Sequence, residues 1–127
     1  MDQVKNNNLT EMSLEIYSNN FSVGWWTRED ELSTGKDRAT LIASKMALIH
    51  SEVSEALEGM RKDLMDDHLP HRKMVEVELA DTVIRILDLA GFMDIDLGSA
   101  LAEKFAYNQT RSDHKKENRE KSGGKTI

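Results

Sequence analysis

Cysteine is absent from this 127-residue sequence, proline occurs once, as Pro70, and aromatic residues make up only 6%. Without thiols there is neither a disulfide framework nor a thiolate metal site. No apolar run approaches the roughly 18 residues that a membrane-spanning helix needs, and the N-terminus lacks the pattern of a signal peptide. A cytoplasmic protein with no membrane partner is expected. Positive charge is also scarce: 17 basic residues face 23 acidic ones, a net charge of −6. That balance argues against broad binding to the phosphate backbone of nucleic acid. The deficit is uneven, because residues 114–127 hold five basic and two acidic residues, a net +3 that leaves −9 on the rest.

The hydrophobic share of 39% and charged share of 31% describe a globular chain with a modest core. The length suits one domain, expected over residues 1–113, followed by a flexible basic tail over 114–127. So thin a core makes burial between subunits a fair expectation. No alternation is long enough to build a sheet, and four helical stretches can be read. The first covers about Leu9 to Asn19, and an irregular segment from Phe21 to Gly35 follows, containing Trp25 and Trp26. The second helix covers about Asp37 to Arg61. The third is expected to begin near Pro70, which suits a first turn, and to end at Gly91 as a C-terminal cap. Asp96 is the expected N-cap of the fourth, which runs to about Ser112.

Ile42, Met46, Ile49, Val53, Ala56 and Met60 recur at spacings of three and four on the second helix. Val75, Leu79, Val83, Ile86 and Ala90 do the same on the third. Both stripes are expected to pack inward, with the two helices forming an antiparallel hairpin.

Two acidic pairs lie on these helices, Glu52 with Glu55 and Glu78 with Asp81. Residues three apart share a helical face, so each pair can grip one cation from two sides. Mg²⁺ takes hard oxygen ligands of this kind, with water and phosphate completing its shell. Spacing alone decides nothing, because a chain this acidic makes about four such pairs by chance. Placement adds weight: the two pairs are symmetric about a point between Asp66 and Asp67. An antiparallel hairpin would set Glu52 across from Asp81 and Glu55 across from Glu78. Apolar neighbours (Leu41, Leu48, Met74, Val77, Ile84 and Leu89) surround the acids, unlike an ordinary solvated face. Clustered carboxylates repel unless a cation lies between them, and a divalent ion is the simplest remedy. The plain alternative is that the pairs point to solvent on opposite sides.

The stretch KMALIHSEVSEALEGMRKD, followed by EVELADTVIRILDLAG, closely resembles the MazG-like all-α nucleotide pyrophosphohydrolases, whose mark is E-x-x-E, a spacer and E-x-x-D. The likeness continues in the GWW segment, in KFAYNQTRSDHK and in the terminal GGK, and covers most of residues 21–125. The resemblance implies a four-helix-bundle-like fold assembled as a homodimer or as a homotetramer built from two dimers. It also implies Mg²⁺-dependent hydrolysis of a nucleoside triphosphate to a monophosphate and pyrophosphate, with Mn²⁺ able to substitute. Some short chains of this kind are selective for a purine deoxynucleotide, dGTP or dATP. The metal-ligand role transfers to Glu52, Glu55, Glu78 and Asp81, with Glu52 or Glu55 also activating water.

Lys104, Asn108 and Arg111 fall on one face of the fourth helix and, through the match K-x-x-Y-N-x-x-R, are the candidate phosphate clamp. Lys45, His114 and Lys115 are weaker candidates. Trp25, Trp26 and Asn20 are candidates for base binding, although either indole serves equally well as a core or dimer plug. Arg85 and Asp88 read most simply as a helix-surface ion pair, His50 as a structural histidine. Two other readings stand beside the hydrolase: a related phosphoribosyl-ATP or dUTP/dCTP-type hydrolase, and a helical interaction module with no catalytic role.

Overall fold

The structure is a computed structural model that describes residues 2–111, 116–121 and 123–124. Six helices form among the described residues: α1 (Asp2–Ser22), α2 (Arg28–Leu32), α3 (Gly35–Arg61), α4 (Met74–Met93), α5 (Leu97–Thr110) and α6 (Lys116–Arg119). The all-α expectation holds among the described residues. Among the described residues no helix is long and apolar enough to cross a membrane.

The chain divides into two compact units, Glu11–Ile95 and a second made of Met1–Thr10 with Asp96–Ile127. In the larger unit α3 and α4 pack against each other as the expected antiparallel hairpin. Their connection is more built than a plain turn. The Asp66 carboxylate accepts from the backbone N–H groups of His68 and Leu69 at 2.9 and 2.7 Å, and the Met74 N–H donates to the Leu64 carbonyl at 2.9 Å. These bonds hold the segment containing Pro70 outside the helix, so α4 begins at Met74, not at Pro70.

The segment expected to be irregular contains α2. Thr27 caps it by accepting from the Asp30 N–H while the Asp30 carboxylate accepts from the Thr27 N–H, a reciprocal capping box. This box delivers Trp26 into the core, where it is only 2% exposed and clusters with Leu89 and Phe92. The Trp26 and Phe92 rings stack with centroids 4.2 Å apart, and Tyr17 meets both edge-on. Phe21, Leu41, Ile42 and Ile49 pack around this cluster.

Gly91 does not end α4. The helix continues to Met93 and is capped by Asp94 in the left-handed conformation (φ 53°). Gly91 instead lets α1 cross closely, because a Cβ there would lie 2.5 Å from Tyr17 Cβ and 2.7 Å from the Ser13 carbonyl oxygen. One of those atoms is backbone and cannot swing aside. Gly91→Ala is therefore expected to destabilise the protein by about 2 kcal/mol through overpacking, despite alanine's better helix propensity. Chemical denaturation measures this. An unchanged or higher midpoint would show that the crossing is looser than described.

The inward-packing expectation for the two stripes needs correction. Ile42 and Ile49 do face the core and Ala56 is buried, but Met46, Val53 and Met60 are exposed, as are Leu79, Val83 and Ile86 on α4. Of the α4 stripe Ala90 is buried, beside Glu78, Thr82, Leu87, Leu89 and Phe92, which the stripe did not include. Only one face of each helix can line the α3–α4 seam, and acids occupy part of it.

In the smaller unit Asp96 is the N-cap of α5, as expected, accepting from the Ser99 N–H at 3.0 Å and from the Thr10 hydroxyl at 2.6 Å. These bonds to its charged form hold the Asp96 carboxyl below its ordinary value. Helix α5 ends at Thr110. Of the basic tail, α6 is described, whereas His114 and Lys115 lie outside the described residues.

Candidate metal centre and adjoining cavity

Glu52 and Glu55 stand one turn apart on α3, and Glu78 projects from α4 to meet them. One carboxylate oxygen from each can be chosen so that all three lie within 4.8 Å of one another. Glu52 and Glu78 are 8% and 9% exposed, whereas Glu55 is open to solvent. The hairpin thus brings three of the four expected ligands together. Asp81 is not one of that trio; it stands half-buried on the wall of the adjoining cavity beside Glu52. Both expected facing pairs are neighbours, Glu55 with Glu78 inside the trio and Glu52 with Asp81 on the cavity wall, and Glu52 also meets Glu78.

One cation meets this cluster directly. Arg85 donates from Nε to Glu52 Oε1 at 2.7 Å, which replaces the expected surface pair between Arg85 and Asp88. The sequence held a usable signal: Arg85 lies one turn beyond Asp81 and so shares its face of α4. One guanidinium does not neutralise three carboxylates. Burial, a hydrogen bond shared with Glu52 and the nearby charge of Glu55 push the Glu78 carboxyl up to about 8. Burial and the charge of Glu52 raise Asp81 as well. Burial also acts to raise Glu52, but its hydrogen bonds with Glu78 and Arg85 outweigh this and hold it below its ordinary value. The pair therefore shares one proton unevenly, with Glu78 the neutral partner.

Glu78 Oε2 is buried and has no hydrogen-bond partner among the described residues. A buried carboxylate oxygen left this way costs free energy unless something electropositive meets it. Three hard oxygen donors, an orphaned oxygen and unbalanced negative charge together fit a divalent cation such as Mg²⁺ or Mn²⁺.

Beside the carboxylates lies a cavity of about 470 Å³. Glu52, Asp81 and Arg85 border it at one side, and Asn20, Trp25, Lys45 and Asp88 contribute to its walls. The candidate base-binding residues thus gather at one cavity with different roles. Trp25 is 71% exposed at the rim. Trp26 presents its edge, but its ring is committed to Phe92 on one side, and the Lys45 ammonium lies 4.3 Å from its centroid. The Trp26 indole N–H donates to Asp88 Oδ1 at 2.9 Å. Trp26 is in this respect the core plug of the two roles foreseen.

Lys104, Asn108 and Arg111 belong to the smaller unit. Lys104 and Arg111 lie 4.8 and 5.9 Å from the centroid of the Tyr107 ring, and Asn108 Oδ1 is buried with no hydrogen-bond partner among the described residues.

Fold and site together define an all-α protein whose acidic cluster is suited to a divalent cation. No family model, curated protein or solved structure matches the chain.

Proposed function

We propose that this protein is a Mg²⁺-dependent nucleoside triphosphate pyrophosphohydrolase of the MazG-like kind, converting a (deoxy)nucleoside triphosphate and water to the monophosphate and pyrophosphate. The observation that carries this reading is the convergence of Glu52, Glu55 and Glu78 within 4.8 Å at the edge of a cavity large enough for a nucleoside. The E-x-x-E and E-x-x-D motifs and their flanking sequence supply the reaction class.

In this reading Glu52, Glu55 and Glu78 hold the metal, with Asp81 completing the set from the cavity wall. A bound divalent ion supplies charge neutralisation on the phosphates and lowers the pKa of water. The remaining steps fall to the chain. Arg85 fixes the Glu52 carboxylate in one orientation through its 2.7 Å bond. Glu55, exposed and without such a bond, is the better placed of the two α3 glutamates to accept the proton of the attacking water. The cavity receives the nucleoside beside the reacting phosphate. A phosphate-clamp role for Lys104, Asn108 and Arg111 rests on the K-x-x-Y-N-x-x-R match alone.

The exposed apolar residues Val53, Leu57 and Met60 on α3, with Leu79 and Val83 on α4, favour a homodimer or homotetramer that covers them. Light scattering on the purified chain measures this directly, and a monomer at micromolar concentration would refute it.

The reaction is tested by incubating the protein with a panel of nucleoside triphosphates and Mg²⁺ and assaying pyrophosphate and monophosphate. Release of pyrophosphate that stops on chelation is the expected result. No release from any nucleotide, with no Mg²⁺ or Mn²⁺ binding by calorimetry, would leave the helical interaction module as the better reading.

A further inference from the structure

The cavity beside the carboxylates carries a polar group that the reaction itself does not use. Asp88 is half-buried on the cavity wall, and its Oδ1 accepts from the Trp26 indole N–H. Among the described residues it forms no ion pair, since Arg85, its neighbour one turn away, is committed to Glu52. A partly desolvated carboxylate is an acceptor only, with room for about four hydrogen bonds across its two oxygens. One is filled here. The remaining capacity is open to the cavity, where water, the Lys45 ammonium on the same wall or a donor of a bound ligand can meet it.

The surroundings restrict what that donor belongs to. The exposed Trp25 offers an aromatic face at the rim. Asn20 is held beside it, because the Asn20 carbonyl accepts from the Trp25 N–H at 2.9 Å in the turn that Gly24 makes at φ 91°. The cavity therefore combines a flat apolar wall, an amide, the Lys45 ammonium and an acceptor-only carboxylate, which suits a planar heterocycle presenting both acceptors and an N–H group. Asp88 lies two helical turns from Asp81 on α4, roughly 10 Å along the axis, a spacing of the order of a nucleoside's length.

Building on the hydrolase reading above, we infer that Asp88 selects nucleotides whose base carries an exocyclic amino group, accepting a hydrogen bond from that amine. Guanine, adenine and cytosine satisfy it. Uracil, thymine and hypoxanthine lack that amine, present a carbonyl or a C–H in its place, and offer the carboxylate at most one ring N–H. Discrimination by a polar group that the bound ligand seals off and leaves unpaired is larger than discrimination by shape.

The test compares matched substrates that differ by the amino group: dGTP with dITP, dCTP with dUTP, and dATP with the purine deoxyriboside triphosphate. In the wild-type protein, kcat/KM for the best substrate is expected to exceed that of its partner without the amine by about tenfold or more. In Asp88→Asn the gap is expected to close or invert. The asparagine carbonyl still accepts from Trp26, so the core is preserved, and circular dichroism with a thermal melt checks this. The wild-type comparison needs no variant, so a misfolded Asp88→Asn does not rescue the inference. Equal rates within the pair, a best substrate of dUTP, dTTP or dITP, or an unchanged preference in Asp88→Asn would overturn the role of Asp88 and leave the hydrolase reading standing. Hydrolysis of no nucleotide at all overturns both.

Discussion

Glu55→Gln is expected to lower the rate of pyrophosphate release by about a thousandfold or more, the combined scale of a lost metal ligand and a lost general base. The same substitution leaves the fold nearly untouched, within about 0.5 kcal/mol, because the Glu55 side chain is exposed. That contrast makes it a sharper test than Glu52→Gln. Glu52 is 8% exposed and paired with Arg85, so Gln there keeps an acceptor but removes the charge facing the guanidinium and mixes loss of stability with loss of chemistry. Steady-state assay of Glu55→Gln beside a thermal melt and a Mg²⁺ titration separates the contributions. Undiminished turnover would remove Glu55 from the site, and with it the argument for an α3–α4 metal centre.

The second large effect is on stability and needs no substrate. In metal-free protein the Glu78 carboxyl sits at about 8, above its ordinary 4.5, so the native state favours its neutral form. Stability from this group is fully present below pH 4.5 and is lost as pH rises through 8, because the unfolded chain releases this proton freely while the native protein must either retain it or bear an uncompensated charge. Glu52 is shifted the other way, and the stability it contributes is already present above pH 4.5 and is lost only in more acid solution. At about 1.4 kcal/mol per pKa unit, a loss of a few kcal/mol is expected between pH 5 and pH 9 in the presence of chelator, or a fall in Tm on the order of 10 °C for a domain of this size. Glu78→Gln, neutral at every pH, is expected to flatten that slope.

Millimolar Mg²⁺ or Mn²⁺ at pH 8 should restore the wild-type melting temperature, since an ion bound only by the native state stabilises by about 2.7 kcal/mol at a hundred times its Kd. The ion does not restore Glu78→Gln to the same degree. A wild-type Tm that rises steadily from pH 5 to 9 in chelator, or that ignores added Mg²⁺ and Mn²⁺, would mean that the three carboxylates do not form a cation site.

Much of this site follows from helix geometry. A period of 3.6 residues places Glu52 beside Glu55, and the symmetry of the acidic pairs about the turn brings α4 acids to the same level. Asp81 escaped that reasoning, because symmetry along the hairpin fixes height and not the rotation of each helix about its axis. In the structure Glu78 meets both Glu52 and Glu55, while Asp81 stands beside Glu52 on the cavity wall. Arg85 was read as a partner for Asp88 because local spacing allows it; the 2.7 Å bond to Glu52 and the Trp26 bond to Asp88 span 33 and 62 residues, and neither is visible in a local pattern. The apolar stripes misled for a related reason. Periodicity identifies an apolar face but not what covers it, so Met46, Val53, Leu79 and Val83 were assigned to a core from which they are absent.

By itself the sequence determined the helical class, the hairpin of α3 and α4, the Asp96 cap and the level at which the acids gather. All of these depend on short-range sterics and on spacing along the chain. The tertiary structure alone decided which three acids converge, which arginine answers them, that Trp26 is spent on the core while Trp25 stays at the rim, and that Asp88 opens into a cavity. Those outcomes depend on helix rotation and on contacts between residues far apart in the chain, which packing sets only when the whole chain competes for the same buried space.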